Sequence, residues 1–248
     1  MKILLKIMLI LLICQHNCFA DISDIESEYA KQMKTAESSW QMKTFTINST
    51  ASLEKETKNI NNQLINYLTP KQSQILEKNN SLWQQYLKAS NLSTIDYLYK
   101  QQGSIYQDFA LAIINLQAFT KATMTSYLLP DSKFISYNSI PNSLSSCIEN
   151  SKNNFEICKC YDNESYKYKQ NIRKNLNILQ QKTNKEDYKK ILFTNYSWEQ
   201  YKNHTEQLLF EIIDSQKNIT DKKLKKAQIL FLLHLCHSSE LSDINFTN

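Results

Sequence analysis

Apolar residues recur at spacings of three and four along most of this chain. Ile22, Ile25, Tyr29, Met33, Ala36 and Trp40 fall on one helical stripe, which predicts a first helix over "DISDIESEYAKQMKTAESSW". A second helix is expected from Leu53 to Leu68, with Ile60, Leu64, Tyr67 and Leu68 turned inward. Thr69-Pro70-Lys71-Gln72 then reads as a helix start: threonine caps, proline suits the first position and glutamine closes a capping box. Behind it Ile75, Leu76, Asn79, Leu82, Trp83, Tyr86 and Leu87 keep the helical period. Gly103 interrupts, Ser104 and Gln107 suggest another capping box, and Ile105, Phe109, Ile113, Leu116, Thr120, Thr123 and Tyr127 form the next stripe. Pro130 ends it.

The second half replays this order. Ile172 and Leu176 match Ile60 and Leu64, and Thr183-Asn184-Lys185-Glu186 repeats the capping-box pattern. "KILFTNYSWEQY" then follows "QILEKNNSLWQQY" in type and sequence, so that Trp198 and Tyr201 answer Trp83 and Tyr86. Thr220 is placed to cap a last helix that turns Leu224, Ala227, Phe231, Leu235 and Cys236 inward. The expected fold is all-α, a tandem of antiparallel helical-bundle repeats. The first repeat covers 21–130, a Ser/Asn/Pro-rich linker 131–146, and the second repeat 147–248. In this reading Trp83, Tyr86, Trp198 and Tyr201 are structural core anchors.

Composition narrows the picture. One glycine and three prolines in 248 residues leave too few positive-φ positions for phosphate-cradling loops or for a sheet rich in tight turns. Nothing calls for a cofactor. Residues 1–20, "MKILLKIMLILLICQHNCFA", read as a secretory signal cleaved after Ala20, with Lys2 and Lys6 before an apolar run too short to span a bilayer comfortably. Ile13 before Cys14 argues against lipidation of that cysteine. The expected destination is the periplasm or the medium, with no membrane span after cleavage. Losing Lys2 and Lys6 lowers the formal charge from +5 to +3. Arg173 is the one arginine, so the bidentate chemistry of nucleic-acid recognition is missing.

Cys147, Cys158, Cys160 and Cys236 remain after the signal. In an oxidising compartment this even number implies two disulfides that staple the second repeat. One of Cys158 and Cys160 is expected to join Cys147, and the other to tie down Cys236. His234, Cys236, His237 and Glu240 offer a rival metal cluster, but paired C-x-x-C spacing is absent and no metal site is assigned. His234 and His237 are then expected on a helix surface near its C-terminus. No histidine lies in a nucleophile or zincin motif, so no catalytic residue is assigned and the chain reads as a non-enzyme.

The stretch from Asn61 to Leu128 resembles the LprI-like lysozyme-inhibitor domain of exported bacterial proteins. Trp83, at the place of the tryptophan in the family's Gln-x-x-Trp step, Tyr86, Gly103-Ser104, Thr120 and Leu128 stand at matching places. The second half resembles the same domain through Trp198 and through Cys147 with Cys158 or Cys160, matching an early cysteine pair. The first copy lacks the cysteines, the second lacks the Gly-Ser step, and Lys121 and Lys202 stand near places where the family carries arginine. The resemblance implies an exported helical binding protein, with a lysozyme as the implied partner and occlusion as the implied mode. The alternative is a secreted structural or host-interaction module. Because lysozymes are usually cationic, the acidic run Asp21, Asp24, Glu26 and Glu28 is the expected steering patch.

Overall fold

The computed structural model describes residues 21–100, 103–130, 132, 141–216 and 221–245. The signal segment with Cys14, most of the linker and Thr220 lie outside these residues. Among the described residues all regular structure is helical, as the periodicity predicts. The helices are α1 (Ile22–Thr35), α2 (Ser39–Leu64), α3 (Pro70–Ser90), α4 (Asp96–Lys100) and α5 (Ser104–Tyr127). Then follow α6 (Asn142–Glu149), which begins inside the expected linker 131–146, α7 (Asn154–Lys182), α8 (Lys185–Ile213) and α9 (Lys222–Asn245). None of them is long and apolar enough to cross a membrane.

Helix ends follow local hydrogen-bond chemistry. The Thr69 box forms as read: its hydroxyl accepts from Gln72 N while the Gln72 side chain accepts from Thr69 N, and Pro70 occupies the first turn. Three other ends differ from expectation. The first stripe does not run through to Trp40, because Ser38 caps a new helix by accepting from Gln41 N. Trp40 therefore starts α2 and is exposed, and α2 begins well before Leu53. The cap of α8 is Asn184, which accepts from Glu186 N and Asp187 N, while Thr183 closes α7 by donating to the Leu179 carbonyl. Gly103, not Ser104, precedes α5, with φ +121°, a backbone conformation that suits glycine alone. Ile105 and Tyr67, expected inward, are exposed. At the start of α9, Asp221 accepts from Leu224 N.

The chain from Asn91 to Ile95 prolongs α3 as one wide π turn. This turn buries Ser93, Thr94 and Ile95 and brings the Ser93 hydroxyl within 2.6 Å of Thr194 Oγ1 on α8.

Three helix pairs carry the packing: α2 with α5, α7 with α9, and α3 with α8. The first two pairs run parallel with nearly the same register. Ser39 meets Asp108 and Asn115 meets Ser49; Ser165 meets His234 and Asn175 meets Ser242. Each of these contacts joins residues 66 to 69 apart. The third pair is antiparallel, since Lys71 meets Glu211, Asn79 meets Thr205 and Ser93 meets Thr194. Among the buried positions, Leu76, Asn79, Trp83, Tyr86 and Ser90 line up along α3, and Ile191, Thr194, Trp198, Tyr201, Thr205, Leu208 and Ile212 along α8, with Ala89, Ser197, Leu209 and Ile213 buried beside these rows. Alternating steps of three and four make one straight seam on each helix. α5 and α9 also meet, and one apolar cluster contains residues from both sides of the linker. Ile95, Leu98, Ala110 and Ile113 form a smaller cluster around α4 and α5.

Candidate functional site

The expected double staple reduces to one bridge. Cys147 on α6 is joined to Cys160 on α7, which pins α6 to the first turns of α7. Cys158 and Cys236 are both free and buried. Their separation has a simple cause. Cys158 lies near Asp221 at the start of α9, and Cys236 is fifteen residues further along that helix, about 22 Å away at 1.5 Å per residue. Burial, reinforced by the Glu240 charge, pushes the Cys236 thiol up to about 12, so it is a poor thiolate.

Trp83, Tyr86, Trp198 and Tyr201 are all buried and meet where α3 and α8 cross α5 and α9. Trp83 lies 4.8 Å from Tyr201, centroid to centroid. Above this group α5 and α9 contribute matching contacts. Lys121 Nζ is 5.8 Å from the Trp83 ring and 5.4 Å from Tyr201, and donates to Asn79 Oδ1 at 3.2 Å. His237 stacks on Trp198 at 4.5 Å, lies 6.0 Å from Tyr86, and places Nε2 3.1 Å from Asn195 Oδ1. One turn onward, Tyr201 Oη donates to Met124 Sδ at 2.9 Å while Tyr86 Oη donates to Glu240 Oε2 at 2.7 Å.

His234 and His237 are thus buried rather than on the helix surface, because α9 is packed on nearly every side over this stretch. Glu240 is fully buried and accepts from Tyr86, Ser90 (2.5 Å) and His237 (3.0 Å). Burial alone would raise its carboxyl; the His237 hydrogen bond and charge, with Ser90 and Tyr86 as further donors, outweigh burial and hold it below the usual carboxylate range. Among the described residues, no three metal-ligating side chains gather here or elsewhere.

A cleft of about 630 Å³ opens beside this cluster, between α2, α3 and α5. It exists because α3 packs chiefly on α8 and leaves α2 and α5 paired with each other. Leu87, Ile114, Ala118 and the Trp83 edge supply apolar wall, and carboxamides supply most of the polar wall. Two of these, Asn61 and Asn80, have buried side-chain oxygens without a hydrogen-bond partner among the described residues. Lys121 forms the base; burial lowers its ammonium to about 7, and no carboxylate among the described residues offsets that. Gln117 links the cleft to the core by donating to Ser90 Oγ at 3.0 Å, and Ser90 in turn donates to Glu240.

Of the cleft residues, sequence singled out Trp83 as a core anchor and Lys121 as standing near a family arginine, but assigned none to a ligand site. The available signal was Lys121 itself, a lysine in the middle of an otherwise apolar and threonine-rich helix. The expected acidic patch is smaller than its sequence suggests. Glu26 is buried, and burial raises its carboxyl to about 7, which leaves Asp21, Asp24 and Glu28. In comparisons with known proteins, no protein family, curated protein or solved structure matches the chain.

Proposed function

We propose that this chain is an exported, non-enzymatic binding protein, built from two copies of one helical unit, which takes its ligand in the cleft between α2, α3 and α5. The observation that carries this reading is the cleft itself, of ordinary ligand-site size and lined by several carboxamides together with the buried Lys121. The Cys147–Cys160 bridge supports an oxidising destination. The matched surroundings of Lys121 and His237, and the equal registers of the two parallel pairs, support duplication. The cleft region offers no nucleophile–base pair, which favours binding over catalysis.

Ligand-observed NMR with a library of small sugars, sugar acids, amino acids and nucleosides tests the reading. Compounds should bind the parent chain and lose binding in Ala118→Trp, which fills the cleft. A library in which no compound distinguishes the two proteins contradicts it.

The narrower reading, in which the protein partner is a lysozyme, follows from the resemblance and gains only a weak steering patch from Asp21, Asp24 and Glu28. A lytic assay decides it: muramidase rates that stay unchanged with a stoichiometric amount of the protein remove lysozyme as the partner.

A further inference from the structure

Resting on the cleft as the binding site, we propose that its ligand class is an acidic saccharide, with the sugar hydroxyls held by the carboxamides and the carboxylate held at Lys121.

Each part of the wall contributes to that choice. A carboxamide carries a donor and an acceptor on one planar group, as a sugar hydroxyl carries both on one oxygen. Asn61, Asn62, Asn80, Gln84 and Asn91 place five such groups around the opening. A purely apolar ligand would strip water from all of them without return. Leu87 and Ile114 give the C–H face of a sugar ring an apolar surface. At the base, the Lys121 ammonium spends one donor on Asn79 Oδ1 and faces two aromatic rings. Its remaining donor capacity meets no carboxylate among the described residues, so a ligand carboxylate completes the charge balance.

Phosphorylated ligands fit less well. The rim holds Glu54 and Lys58 one turn apart on α2, whose opposite charges offset one another. A single buried lysine then faces a phosphate dianion with no arginine fork and no glycine loop to assist it.

Calorimetric titration at pH 6 with digalacturonate, its dimethyl ester and glutarate separates the contributions. The acid should bind at least ten-fold more tightly than the ester, which keeps every hydroxyl but carries no charge. Glutarate, with carboxylates but no hydroxyls, should not bind measurably. In Lys121→Met the acid and the ester should bind alike, and in Ala118→Trp, which keeps Lys121, neither should bind. Circular dichroism confirms that each variant is folded. Equal affinity for acid and ester in the parent, acid binding unaffected by either substitution, or no saturable binding of the acid overturns the proposal. If digalacturonate fails while library compounds still depend on position 118, the ligand class falls and the cleft reading stands.

Discussion

Lys121 stands to Trp83 and Tyr201 as His237 stands to Trp198 and Tyr86, each a nitrogen-bearing side chain held by an asparagine over one indole and one phenol. The partners differ where it matters for charge. His237 has Glu240 at 3.0 Å, whereas the equivalent place beside Lys121 is held by the thioether of Met124.

That difference leaves Lys121 a buried cation with no counter-ion among the described residues, and its stability effect has a definite sign. Its folded value of about 7 lies below the ordinary 10.5, so the unfolded chain binds the proton more tightly. Stability should therefore rise with pH between about 7 and 10.5, by at most ~1.4 kcal/mol per unit, and be lowest below 7. In Lys121→Met, urea denaturation should show higher stability than the parent at pH 7 and a gap that closes toward pH 10.5. A parent chain whose stability is flat over this window would show that Lys121 stays protonated in the fold.

Glu240 contributes in the opposite window. Its carboxyl is held below 4.5, so its contribution is complete above the unfolded value and fades as pH falls through the folded one. Glu240→Leu leaves Tyr86, Ser90 and His237 without their acceptor and should lose ~3–5 kcal/mol at pH 7. The deficit should shrink in acid, below about pH 4.5. An equal deficit at pH 7 and pH 3 contradicts the charged carboxylate.

Glu26, on α1, is a further buried ionisable group. Its carboxyl is raised to about 7 by burial, so the docking of α1 is strongest below pH 4.5 and weakens as pH rises toward 7. Hydrogen exchange of α1 amides should be faster at pH 8 than local chemistry alone requires, and Glu26→Gln should slow it. Identical protection in the two proteins at pH 8 would place Glu26 in water.

The single bridge predicts its own thiol count. The chain from Asp21 onward, denatured without reductant, should titrate two thiols, from Cys158 and Cys236. Reduction of Cys147–Cys160 removes a loop constraint of thirteen residues' separation and should cost ~2–3 kcal/mol, loosening α6 first. No free thiols would mean that Cys236, well along α9, reaches Cys158 on α7 beside the start of α9.

Much of this fold was readable because its seams are regular. Steps of three and four along α3 and α8 follow directly from burying one face of a helix, so Trp83 and Trp198 stand out. The Thr69 cap was equally plain. What sequence did not show were competitions between neighbours. Ser38 with Gln41 offers the same cap chemistry as Thr69 with Gln72, but the apolar stripe passing through Ala36 to Trp40 masked it. Asn184 outcompetes Thr183 because the threonine hydroxyl is already bonded to the Leu179 carbonyl. The burial of His237 and the cleft above Lys121 depend on how far α3 leans from α2 toward α8, a distance that no local pattern records. The π turn at Asn91–Ile95 likewise has no composition signal; it is visible only through the Ser93–Thr194 contact.

The cleft as binding site is tested most directly by the side-chain amide signals of asparagine and glutamine in a nitrogen-15 spectrum, followed as compounds of the library are added. The signals of Asn61, Asn80, Gln84 and Asn91 should move together and saturably, while those of Asn175 and Asn203, on the second half, stay in place. Shifts confined to the second half, or no saturable shift at these four side chains with any compound, would contradict it.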